Sequence, residues 1–156
     1  MTENPGPQDT AAAAERLHDA VKRLRARLRT ESGQHSTGLS PTQLGILASV
    51  VREGPVTAAR LAATQHVSAQ AIAQSLAVLK AAGLVHSEPD PRDGRKKLMS
   101  ADASATALID RLLAGRAAFL ARAIDQVVAA DEHADVDRAI ELLERLADID
   151  LGEGSR

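Results

Sequence analysis

Apolar positions at the start of this chain recur at helical rather than strand spacing. Leu17, Val21, Leu24 and Leu28 step by four, three and four residues, a narrow apolar stripe on a helix from about Thr10 to Arg29. Residues 1–9 hold two Pro, one Gly and, Met1 apart, only polar side chains, which predicts a disordered tail. The polar stretch Glu31–Gly38 predicts a loop. A second helix opens with Ser40 as N-cap, Pro41 at the first helical position and Gln43 completing a capping box. Leu44, Leu47 and Val51 would line its inner face, and Gly54-Pro55 would end it. Thr57 would cap a short third helix around Leu61, Ala63–Val67 a turn, and Ser68 a fourth helix that runs to Ala82 and stops at Gly83.

The pattern then changes. Leu84–Glu88 and Lys96–Ser100 read as short strands on either side of the turn-rich segment Pro89–Arg95. Asp102 is the expected N-cap of a long fifth helix reaching about Ala130. A sixth, from about Asp135 to Asp148, carries a broad apolar face of Val136, Ala139, Ile140, Leu143, Leu146 and Ala147. Residues 151–156 read as a tail, and no internal repeat is present. The expected fold is mainly α: a winged helix-turn-helix domain over 39–101, three helices plus a two-stranded β wing, flanked by helical segments 10–31 and 102–150. The apolar stripes of the flanking helices need a cover. A second copy of the chain would supply it, with Leu17, Val21, Leu24, Leu28, Val136, Ile140, Leu143 and Leu146 as the dimerisation residues.

Composition narrows the function. The chain has 31 Ala in 156 residues and one aromatic, Phe119, as expected of helices with thin cores. The absence of Cys excludes disulfides, a thiolate nucleophile, Cys-ligated zinc and Fe–S clusters. No apolar run approaches the roughly 18 residues of a membrane span, and the N-terminus lacks a basic region followed by an apolar one, so a soluble cytoplasmic protein is expected. No nucleophile, phosphate-loop or metal motif appears, and the five His are scattered. Neither an enzyme nor a cofactor or metal is expected. Charge is segregated: 10–31 and 39–101 each carry a net +3, while 102–156 carry −6. A basic middle beside an acidic end suggests that one part meets a polyanion.

The fourth helix presents two faces. With Ile72 at zero and 100° per residue, Leu76 and Leu79 fall near it, and Gln70, Gln74, Ala77 and Ala81 fall within about 40° of the opposite side. That outward face is slim, and its amides could pair with adenine N6 and N7 in a major groove. Ser68 could meet a phosphate at the helix N-terminus. Gln and Ala are also ordinary solvent-face residues; the hairpin that follows at once favours the groove. Its tip packs Arg92, Arg95, Lys96 and Lys97 into six residues, suited to a minor groove. Asp90 would hold the Arg92 or Arg95 guanidinium and so orient the wing. The candidate DNA-binding residues are therefore Ser40, Thr57, Ser68, Ala69, Gln70, Ala73, Gln74, Arg92, Arg95, Lys96 and Lys97.

Four stretches carry a family resemblance: Leu39-Ser40-Pro41-Thr42-Gln43-Leu44-Gly45-Ile46-Leu47, Leu61–Ser68, Leu79–Val85, and the wing Asp90-Pro91-Arg92-Asp93-Gly94-Arg95, which fits a D-x-R-x-x-R pattern. Over residues 10–150 the chain resembles the MarR family of transcriptional regulators. That resemblance implies a homodimer on a pseudo-palindromic double-stranded DNA operator, usually as a repressor, with recognition helices in successive major grooves and wings in flanking minor grooves. It also implies, for many members, release from DNA by a small and often phenolic effector bound between the dimerisation helices and the DNA-binding lobe. The chain departs from the family at Gln74, where Arg is common, at Ala105, often Gly, and at Leu44, usually aromatic. The family's peroxide-sensing mechanism needs a Cys that this chain lacks. The rival expectation is a winged-helix module that binds protein instead of DNA.

Overall fold

In the computed structural model, residues 6–150 are described. The tail expected at 151–156, and residues 1–5 of the one expected at 1–9, lie outside them. Six α-helices and three strands follow one another as α1 Pro7–Glu31, α2 Pro41–Glu53, β1 Val56–Thr57, α3 Ala58–Gln65, α4 Ala69–Ala81, β2 Val85–Pro89, β3 Lys97–Ala101, α5 Ala103–Val127 and α6 His133–Asp148. α1 starts three residues before Thr10, because Pro7 is preorganised for a first helical turn and the Asp9 carboxylate accepts the Gly6 N–H at 3.3 Å. The loop expected over Glu31–Gly38 contains a short 3-10 turn, Gln34–Thr37, set between Gly33 and Gly38 at φ of 72° and 69°. The polar spacing there gives no hint of a single 3-10 turn.

The α2 capping box forms as its sequence requires: Ser40 Oγ accepts from Gln43 N at 3.1 Å, and Gln43 Oε1 accepts from Ser40 N at 2.8 Å. The buried face of α2 is wider than expected. Ile46 and Val50 are buried with Leu44 and Leu47, whereas Val51 is only partly so. α2 is the central helix of the domain and packs on more than one side, so a single-stripe reading understates it. α3 continues to Gln65, through part of the segment read as a turn. The reversal is confined to His66, in the left-handed region at φ 52°, and Val67.

β3 lies between β1 and β2, antiparallel to both. The extra strand β1 is two residues long, too short for alternation to reveal. Val56 pairs with Met99, His86 with Ser100 and Glu88 with Leu98. Val85 and Met99 face inward and join Ile46, Leu47, Val50, Leu61, Ile72, Leu76, Leu79, Ala105 and Ile109 in one core. His86 and Glu88 therefore share the outer face. Ala105, where the family often has Gly, is fully buried, so the methyl is accommodated. Gly115 of α5 approaches α1's end so closely that a Cβ there would lie 3.1 Å from Ser32 Cα.

The chain divides into two compact units at Phe119/Leu120. The second holds the end of α5, a 3-10 turn at Ala130–Glu132, and α6, whose Ile140, Leu143 and Leu146 are 44–48% exposed. α5 ends at Val127, short of Ala130. No described helix is long and apolar enough to cross a membrane.

Candidate nucleic-acid interface

α4 is held by its own inner face. Ile72 and Leu79 have no exposed surface and Leu76 has 5%, as the helical stepping predicts. Ser75, which that reading passed over, is buried with them. Ala69, Gln70, Ala73, Gln74, Ala77 and Ala81 are all exposed on the remaining surface. No described hydrogen bond or ion pair engages the Gln70 or Gln74 amides, so both are available to a ligand. Ser68 Oγ accepts from Ala71 N at 3.1 Å and Thr57 Oγ1 from Arg60 N at 3.2 Å. The Ser40, Thr57 and Ser68 hydroxyls are thus all occupied as N-caps, and what each leaves for a phosphate is the hydroxyl hydrogen and the free N–H groups of the first turn.

The wing is stiffened from both ends. Lys80 Nζ of α4 donates to Ser87 Oγ at 3.1 Å. At the tip, Asp90 N donates to Lys96 O at 2.9 Å and Lys96 N to Asp93 O at 2.8 Å. The two tip carboxylates are spent on backbone: Asp90 Oδ1 accepts from Arg92 N at 2.8 Å, and Asp93 Oδ1 from Arg95 N at 3.2 Å. Asp90 was expected to hold a guanidinium fork. Here it closes an Asx turn, the cheaper bond for a carboxylate two residues before the N–H it accepts. Lys96 pairs loosely with Asp93 at 3.7 Å. Among the described residues, Arg92, Arg95 and Lys97 form no ion pair, and all three are exposed. The wing thus presents unpaired positive charge on a hydrogen-bonded hairpin, on the same unit as a helix whose outward face is slim and uncharged.

Two groupings escaped the sequence reading. The first is a cavity of about 290 Å³ bounded by α1, α2, α5 and the 3-10 turn. Arg25 and Arg29 of α1 and Arg116 of α5 line it, with Leu28, Leu44 and Leu112 among its apolar walls and no acidic residue. Arg116 Nη2 donates to the buried Gln34 Oε1 at 3.3 Å, but its Nε is buried without a partner. Leu28, expected at a dimer contact, is partly buried here and lines this cavity. The advance signals were the i,i+4 pair of Arg25 and Arg29 and the effector site that the family resemblance implies between the dimerisation helices and the DNA-binding lobe. The second grouping lies at the wing base. His86 Nδ1 is 2.7 Å from Asp102 Oδ1, and His86 Nε2 is 3.1 Å from Glu88 Oε1. Asp102 stands at the expected N-cap position of α5, where its carbonyl accepts from Ala105 N and Thr106 N; its carboxylate meets His86 rather than a first-turn N–H.

A three-helix core with a basic hairpin beside an exposed helix face defines a winged helix-turn-helix protein. A family model described as MarR family matches residues 37–96. Over 99 residues the chain is 35% identical to an uncharacterized HTH-type transcriptional regulator of Mycobacterium leprae, a match spanning 64% of this chain and 68% of the relative. The crystal structure of a Pseudomonas aeruginosa protein assigned as a transcriptional regulator superposes with a TM-score of 0.78 at 30% identity, covering 94% of this chain and all of that one. A MepR variant of S. aureus bound to an oligodeoxyribonucleotide shares the fold, with a TM-score of 0.65 at 12% identity over 86% of this chain and 97% of that one. The chain belongs to the MarR family of transcriptional regulators.

Proposed function

We propose that this chain is a sequence-specific double-stranded DNA-binding repressor, acting in the cytoplasm as a homodimer on a pseudo-palindromic operator and released by a small organic anion. The observation that carries the DNA reading is the unpaired Arg92, Arg95 and Lys97 on a hairpin tied through Lys80 and Ser87 to the last turn of α4, the helix that exposes the Gln70 and Gln74 amides. Cations that no acid neutralises release counterions when they meet phosphates, and Gln side chains on a narrow helix reach base edges. Ser40, Thr57, Ser68, Ala69 and Ala73 would lie along the backbone and groove floor, with Lys96 adding charge. α1 supports the dimer: Leu17, Val21 and Leu24 are 38–46% exposed in the single chain. In the other unit, the exposed Ile140, Leu143 and Leu146 and the partly buried Val136 give the same support.

The cavity supports the effector. Three guanidinium groups, one with a buried unpartnered N–H, surround apolar walls without a carboxylate to balance them. Such a pocket favours a carboxylate on a compact apolar body. Its walls come from α1 and α5 on one side and α2 on the other, so occupancy would bias the spacing of these helices. Screening small monocarboxylates against their uncharged amides should raise Tm for the acids alone, by about 5–10 °C at a hundredfold excess over Kd. Arg116→Met should remove the rise. Equal shifts from acid and amide would sink the anion reading.

Selection of bound sequences from random DNA tests the operator proposal. The expected profile is two inverted half-sites one helical turn apart, about 34 Å centre to centre. Gln70→Ala should alter the preferred base at one position per half-site, with a discrimination loss of about 1–3 kcal/mol, and change overall affinity less. An unchanged profile would show that this face of α4 does not read bases.

A further inference from the structure

We infer that His86 is a positioning residue of the wing: clamped between Asp102 and Glu88, it ties the outer face of the hairpin to the entrance of α5 and makes DNA engagement depend on pH. The inference rests on the proposed DNA binding. A neutral imidazole has one N–H and one lone pair, so it can donate to only one of two carboxylates and must turn its lone pair toward the other. Both ring nitrogens lie within hydrogen-bond distance of a carboxylate oxygen, at 2.7 and 3.1 Å. That geometry suits an imidazolium, which donates to both.

The position of the clamp gives it leverage. Asp102 N donates to Leu84 O at 2.9 Å, and Ser104 Oγ donates to Gly83 O at 3.1 Å, so the chain enters and leaves the wing at this one joint. His86 and Glu88 are neighbours on the outer face. Opposite them on β3 stand Ser100 and Leu98, both uncharged. From α4, Lys80 reaches Ser87, which belongs to the other face. Among the described residues, Asp102 and Glu88 are therefore the charges that His86 meets. The Asp102 hydrogen bond first, then the Glu88 bond, hold the imidazole pKa above its ordinary value against a partial desolvation cost.

Because the pKa is raised in the folded chain, the clamp is complete below the ordinary imidazole range and is lost as pH rises through the raised value. Deprotonation breaks one of the two links and changes the local charge of the three groups from −1 to −2, beside a hairpin that must approach phosphates. DNA affinity should therefore fall as pH rises.

The test uses the full chain and a mixed-sequence duplex of on the order of 25 base pairs, long enough for two half-sites, at constant ionic strength. Binding is followed by fluorescence anisotropy from about pH 5.5 to about pH 8.5, and the His86 ring resonance by NMR over the same range. Affinity should drop about threefold across the His86 titration, less than the loss of one full phosphate contact. His86→Gln should sit at the weaker level throughout, while His86→Lys, a permanent cation, should keep the tighter level to the alkaline end. A merely structural histidine would not be rescued in this way. Asp102→Asn should move the ring titration to lower pH. The same pH step in His86→Gln, or a ring that titrates at the ordinary value and ignores Asp102→Asn, would overturn the inference. If no duplex binds at any pH, the DNA reading falls and pH-dependent engagement falls with it, while the ring titration still decides the clamp separately.

Discussion

Replacing Arg92 and Arg95 together by alanine is expected to weaken binding to every duplex, operator or not, by roughly three orders of magnitude at 0.1 M salt. Neither side chain has an ion-pair partner to lose among the described residues, and neither is buried, so the loss falls on binding and not on the fold. In a dimer the change removes four charges, and the log–log slope of affinity against salt should flatten by about 3.6. Asp90 and Asp93 hold the turn through the backbone N–H groups of these same residues, which alanine keeps. The hairpin should therefore persist. Anisotropy at four or five salt concentrations checks both numbers. A slope unchanged by the double substitution would place the phosphate contacts elsewhere.

The second large effect concerns assembly. Deleting residues 1–30 should abolish the dimer, since it removes Leu17, Val21 and Leu24 with the rest of the stripe. The deletion also takes away Leu28 and Arg29, which line the cavity, so part of its effect would be on the single chain. Leu17→Glu, Val21→Glu and Leu24→Glu in combination separate the two. These side chains are already about two-fifths exposed, and acidic replacements cost the single chain little. At an interface they should cost on the order of 3–6 kcal/mol, a hundredfold to ten-thousandfold in the dimer Kd. Sedimentation of the triple variant should show monomer at concentrations where the parent is dimeric. A dimer of normal stability would move the interface away from α1.

Much of the fold was legible because the signals are local. Ser40-Pro41-x-Gln43 is a complete helix start, and it forms as written. Ile72, Leu76 and Leu79 share one face at fixed angles, and all three are buried. What sequence spacing did not show depends on distant partners. Val56 and Thr57 become a strand only because β3 passes beside them. Ile46 and Val50 are core because α2 is surrounded, which no stripe on α2 reports. Arg116 joins Gln34 across 82 positions, so the cavity is invisible until α1, α2 and α5 are assembled. His86 and Asp102, 16 apart, meet through the hairpin register. Asp90 shows a different lesson at short range: its carboxylate takes the nearby Arg92 N–H in place of a guanidinium. The Asp102 carboxylate instead leaves its own first helical turn for the distant His86 imidazole.

Binding of the unmodified protein to duplex DNA, followed from about 50 to about 200 mM salt, tests the central claim most directly. If two basic wings and the ends of two recognition helices meet phosphates, log affinity should fall linearly against log salt with a slope of about −4 or steeper. No detectable binding at the lowest salt, or an affinity that salt leaves unchanged, would contradict it.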